Sequence, residues 1–184
     1  MDESKSAVSS VSIETVAHWV ALAKAGNQAA CTQLYRRYLP LVHGVLLSRF
    51  RPAVADELTQ ECFALAFGRL AQLREASQFG AWISSIARHL RGPDRARELA
   101  LDEHFDVPDA HAEPALHAEA ARMLTCIRNL PEAYAETMAL RLIEGLSGAE
   151  IAQLTGLTAE SVRVNLHRGM RKLREQIGVI GPSN

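Results

Sequence analysis

Aromatic residues make up only 5% of this 184-residue chain, while alanine and leucine are abundant and no alternating run is long enough for a strand. That balance favours helices over sheets. Cysteine is also scarce. Cys31, Cys62 and Cys126 lie far apart and form no CxxC pair. An odd number of thiols without a secretion signal suits a reducing cytoplasm, and each falls in a helical pattern where a small buried hydrophobe fits. The opening MDESKSAVSS is polar and has no apolar signal core. No apolar run approaches the ~18 residues of a membrane span, so no membrane insertion is expected. Neither sign of charge dominates, since the net charge is −1. A globally basic nucleic-acid binder is thereby excluded, and any contact with DNA must come from local patches. P-loop, GxSxG and HExxH motifs are absent, and no paired carboxylates have a convincing neighbour. No enzyme activity, catalytic residue, metal or cofactor is therefore expected.

Against that background one stretch stands out, SGAEIAQLTGLTAESVRVNLHRGMRKLR, Ser147 to Arg174. Ser147 with Glu150 three residues later forms a capping box. Ile151 and Leu154 give a first short helix its apolar stripe. Gly156 can take the left-handed conformation that ends it. Leu157 is expected to pack inward and Thr158 to cap a second helix. There Val162, Leu166, Met170 and Leu173 recur at helical spacing, and the opposite face carries Arg163, Asn165, His167, Arg168, Arg171 and Lys172. Five Lys or Arg stand against Glu160 alone between Thr158 and Arg174. The basic face alone would fit a solvated surface. With the short helix and glycine turn before it, it has the pattern of a helix-turn-helix whose second helix enters a DNA major groove.

The remaining periodicities predict more helices. One spans Ile13 to Ala25 and closes at Gly26. A second, capped by Asn27, runs through Leu34, Tyr38, Leu41 and Val45, with Pro40 expected to kink or divide it. A third covers about Ala53 to Leu73 after the Arg51-Pro52 break. A fourth carries Phe79, Trp82, Ile83, Ile86, Ala87 and Leu90 and ends at Gly92-Pro93 among Arg88, Arg91, Arg95 and Arg97. From Glu98 to Glu119 there are seven acidic residues and no Lys or Arg. Residues 98–114 read as an acidic linker. His104, His111 and His117 in this region match no standard metal spacing. Helices resume from Ala115 to Leu130 and after Leu130-Pro131, where Tyr134, Met138, Leu142 and Ile143 are expected inward. The expectation is an all-α protein of two small helical domains, 13–97 and 115–178, joined by that linker.

Two separated blocks then point to one family. ELTQECFALAFGRL (Glu57 to Leu70), with Asp56 just before it, and FGAWISSIAR (Phe79 to Arg88) resemble the D-L-x-Q-E-x-F and F-x-x-W-L-x-x-I-A motifs of bacterial RNA polymerase sigma factors. The block from Leu130 to Glu175 is similar to the last domain of the same factors. Together the chain resembles the small two-domain extracytoplasmic-function, or group IV, subfamily, over about Gln28 to Glu175.

The resemblance implies a transcription initiation factor that binds core RNA polymerase and gives it promoter specificity. Asp56, Glu57, Leu58, Gln60 and Glu61 would dock the polymerase clamp. The region from Arg74 onward would hold the promoter element that melts, with Arg88, Arg91, Arg95 and Arg97 on phosphates and Trp82 either stacking on a base or packing in the core. Arg163, Asn165 and Arg168 would meet base edges or nearby phosphates of the distal element, and Arg171 and Lys172 phosphates, with His167 on the same DNA-facing helix. An anti-sigma protein would hold such a factor inactive. Two positions depart from the family pattern. His89 stands where Asn is common, seven residues after Trp82, and Pro93 where Asp is common. His89 is either a distinctive reader of the flipped base or a polar helix-end residue. A stand-alone helix-turn-helix regulator is the alternative reading, but it leaves the Glu57 to Phe63 block unexplained.

Overall fold

The computed structural model describes residues 13–92 and 114–179; Arg95, Arg97 and the expected linker as far as residue 113 lie outside them. Among the described residues there are eight α-helices, in chain order α1 (Ile13–Lys24), α2 (Gln28–Leu47), α3 (Pro52–Gly68), α4 (Phe79–His89), α5 (Pro114–Arg128), α6 (Glu132–Leu142), α7 (Gly148–Thr155) and α8 (Ala159–Val179). No strand is found among the described residues.

Local chemistry explains the boundaries. The Asn27 side chain accepts the Ala30 N–H and starts α2. Pro40 does not divide that helix, which continues to Leu47. Pro52 occupies the first turn of α3, where its missing N–H costs nothing. The third helix is shorter than its apolar pattern suggests. It ends at Gly68, and Leu70–Gln72 forms a separate 3₁₀ turn that buries Leu70. Ser147 and Glu150 form the reciprocal capping box, and Gly156 takes φ +76° to end α7. Thr158 Oγ1 accepts the Ser161 N–H at the start of α8.

The N-terminal half packs α1, α3 and α4 around α2, burying Leu34, Leu41, Leu46, Phe79 and Ile83. Tyr38 meets Phe79 edge-on at 4.9 Å, a geometry that suits the ring quadrupoles. In the C-terminal half, α5, α6 and α8 enclose Ile127, Leu130, Met138 and Leu173. Gly169 lets α8 cross α6 closely, since a Cβ there would stand 2.7 Å from Met138 Cγ.

The two halves also meet directly. Leu140, Leu146, Ile151, Leu154 and Val162 from the second half share the core of the first. Consequently α6 lies between α8 and α2, and every residue from Ala135 to Leu140 is buried. Three inward expectations fail. Leu142 and Ile143 are exposed because α6 ends there, and Leu140 and Leu146 make the packing contacts instead. Leu157 is exposed too. Its N–H is satisfied by Thr155 Oγ1, and its side chain faces outward from the turn.

Candidate polymerase and promoter interface

Three surfaces carry the residues singled out by sequence. The first is an edge of α3. Asp56, Glu57, Gln60 and Glu61 are all exposed, at spacing i, i+1, i+4 and i+5 that gathers them on one face. Leu58 is not part of that face. It is buried with Ala55, Cys62 and Ala66, so it anchors the edge and presents no apolar surface to a partner. Asp56 is also engaged internally, with Oδ1 3.1 Å from His43 Nε2 on α2. His43 Nδ1 lies 2.6 Å from Glu144 Oε1. The Glu144 carboxylate raises the His43 pKa, against the opposing effect of partial burial, and Asp56 adds to the rise.

The second surface is the end of α4. Trp82 is half-buried and packs on the core, its ring centroid 6.0 Å from that of Phe79. Arg88 reaches across to α6. Its Nε donates to Glu136 Oε2 at 2.9 Å and its Nη2 to Glu136 Oε1 at 2.7 Å. This bidentate fork raises the guanidinium pKa further and ties up the group expected to meet phosphate. His89 is exposed. Its Nδ1 is 2.7 Å from the Ser85 carbonyl, which can only accept, so the ring donates from Nδ1 and turns Nε2 outward. Arg91 is exposed beyond the helix end.

The third surface is α8. Arg163, His167, Arg168 and Arg171 are exposed, and Lys172 is half-buried. Arg163 forks onto Glu160 one turn earlier, at 2.7 and 3.2 Å. Arg171 Nε lies 3.8 Å from Glu175. Asn165 is directed away from the open face: its Nδ2 donates to Thr137 Oγ1 of α6 at 3.4 Å. The open cationic face thus centres on Arg168, with Arg163 and Arg171 at its sides.

This arrangement offers an acidic edge and a basic helix on one helical frame, and comparison with known proteins gives it a family. The Sigma-70 region 2 family model matches residues 34–91, and the Sigma-70 region 4 model matches residues 120–173. The RNA polymerase sigma factor CarQ of Myxococcus xanthus is 30% identical, over 83% of this chain and 92% of CarQ. The chain belongs to the extracytoplasmic-function sigma factors. The sigma factor is likewise 28% identical to SigD of Mycobacterium tuberculosis, over 88% of this chain and 84% of SigD. It is 29% identical to BldN of Streptomyces coelicolor over 82% of this chain, but spans only 61% of BldN. Among solved structures, CnrH, determined with the cytosolic domain of CnrY, shares the fold with TM-score 0.58 at 22% identity, over 89% of this chain and 97% of that one. As a member of this family the protein is a transcription initiation factor that directs RNA polymerase to promoters. Among the described residues no helix is long and apolar enough to cross a membrane.

Some positions that shape these surfaces have no sequence signal. Arg49, in the turn after α2, donates Nη1 to the carbonyls of Ala87 and Arg88 at 3.2 and 2.6 Å. It caps carbonyls at the end of α4, of which that of Ala87 also takes the Leu90 N–H, and places a cation at the negative pole of the helix. Glu136 and Glu144 sit where only the meeting of distant helices gives them meaning. Gly169 reads as an ordinary mid-helix glycine until α6 is placed beside it.

Proposed function

We propose that the sigma factor divides its work among the three surfaces. The acidic edge of α3, Asp56, Glu57, Gln60 and Glu61, docks core polymerase through basic groups on the clamp. The end of α4, with Arg88, His89 and Arg91, receives the promoter strand as it melts. The exposed face of α8, with Arg163, His167, Arg168 and Arg171, enters the major groove of the distal element, and Lys172 adds a phosphate contact. The observation that carries this reading is the separation of charge: the acids of α3 and the cations of α8 both face solvent while belonging to one packed frame. In a chain of net charge −1, such segregation suits simultaneous engagement of a basic protein surface and a DNA backbone.

The same reading places the protein in the cytoplasm, acting without catalysing a reaction of its own. An anti-sigma protein is the expected inhibitory partner. Residues 13–97 form the polymerase and melting unit and 115–178 the distal-element reader, with the acidic linker between them. Run-off transcription with purified core polymerase on a genomic fragment library tests the proposal. Defined start sites that vanish when Glu57 and Glu61 are both replaced by Lys support it. Tight binding to duplex sites by the free chain, with no association with core polymerase, would establish the stand-alone regulator instead.

A further inference from the structure

The contact between the halves has the marks of a built seam. Two glycines of the N-terminal half allow it. A Cβ on Gly44 would lie 2.6 Å from Leu140 Cδ2, and one on Gly80 would lie 2.1 Å from the Leu154 carbonyl oxygen. Leu140 and Leu154 are fully covered by the union. Two carboxylates of the C-terminal half cross it, Glu136 onto Arg88 and Glu144 onto His43. Glu136 lies within α6 and Glu144 in the turn that follows it.

Arg88 is the focus. A carboxylate that takes a guanidinium through two parallel N–H···O bonds presents the same paired oxygens as a backbone phosphate. Glu136 is nearly buried, its side chain 9% exposed, and both of its carboxylate oxygens accept from Arg88 across the seam. We infer that the arrangement described is a self-closed form of the sigma factor, in which Glu136 occupies Arg88 in place of a promoter phosphate, and that the α6/α7 face must leave α2/α4 before the end of α4 can take nucleic acid. This rests on the assignment of α4 to the melted strand. It adds that the chain carries its own competitor for that strand, built into the C-terminal half. Arg168 stays exposed in the closed form, so closure masks the melting surface and leaves the distal-element helix open.

The test uses the full chain without polymerase and a fluorescent dT20 oligonucleotide at low ionic strength, with small-angle scattering reporting the radius of gyration. Glu136→Gln keeps the shape and removes the charge. It should expand the chain and tighten dT20 binding about fivefold or more, and adding Arg88→Ala should abolish the gain while leaving the expansion. Gly80→Val wedges the seam by volume alone and should also expand the chain and tighten binding. Tighter binding by Gly80→Val but not by Glu136→Gln would overturn the competitor role of Glu136. No expansion and no gain in either variant would overturn self-closure. Run-off transcription by the wild-type chain separates the two levels. Defined initiation without any gain in dT20 binding sinks this inference alone, whereas its absence sinks the sigma assignment of α4 whatever the oligonucleotide does.

Discussion

Replacing Gly80 with alanine adds one methyl group at the tightest point of the seam. Carbon–oxygen contacts settle near ~3.3 Å, so a Cβ 2.1 Å from the Leu154 oxygen must be relieved by more than about 1 Å. The obstacle is a backbone carbonyl, which cannot swing aside like a flexible side chain, and Tyr38 Cε1 blocks the other direction at 2.9 Å. Forced repacking of this kind costs about 1–3 kcal/mol. Against it stands the higher helix propensity of alanine, about 1 kcal/mol. At the first turn of α4 the gain is smaller than in a helix interior, so overpacking wins. The net loss is about 1–2 kcal/mol, or a fall in Tm of about 2–8 °C for a chain of this size. Gly178, in the last turn of α8, is the matched control. A Cβ there meets nothing within 4 Å, so Gly178→Ala should be neutral or slightly stabilising. Thermal unfolding followed by circular dichroism decides the matter, with hydrogen exchange locating the weakened contacts in α4 and α7. Equal Tm values for the two variants would refute the close approach of Gly80 to Leu154.

Three other expectations follow from the same geometry. The His43 pKa is raised in the folded chain, so its stabilisation is fully present below the unfolded value of about 6.5 and is lost as pH rises through the folded value. Tm should therefore fall across that window in the wild type and fall less in His43→Gln, as thermal melts through the neutral range will reveal. Arg168→Ala should weaken promoter duplex binding by polymerase holoenzyme and lower the slope of log K against log salt by about 1, if Arg168 meets a phosphate; Arg36→Ala, on the exposed face of α2, should leave that slope unchanged. Burial pushes the Cys62 thiol up to about 12, with Glu61 contributing, so Cys62 should resist alkylation at pH 8 in the folded chain, while half-exposed Cys31 reacts first. Mass spectrometry of iodoacetamide adducts reads the order, and early modification of Cys62 would contradict its burial.

Local signals in the sequence proved legible because they act over three or four residues. Ser147 and Glu150 cap each other, Gly156 turns the chain, and Pro52 starts α3, all without help from distant elements. Apolar periodicity located α2, α4 and α8 for the same reason. It failed where partners decide. Leu142 continues the spacing of Tyr134 and Met138, yet the helix ends there and its side chain is left exposed. Leu58 sits among Asp56, Glu57, Gln60 and Glu61, which face outward, yet helix geometry turns it to the core with Phe63. Arg88 and Asn165 look like free polar residues in the sequence. Each is directed by α6, through Glu136 and Thr137, more than twenty-five positions away. The family motifs singled out candidate residues, but their present partners depend on how the halves meet.

The burial of α6 on both sides bears on how such proteins can be recombined. A segment covered from Ala135 to Leu140 has no face free to drift, because substitutions must suit α8 on one side and α2 on the other. A chimera that grafts a foreign promoter reader onto this N-terminal half must therefore bring side chains that fit the hollows at Gly44 and Gly80. A C-terminal half expressed alone would present Leu140, Leu146, Ile151 and Leu154 to water as an adhesive patch. In this chain the exchange of either module is constrained by a shared wall.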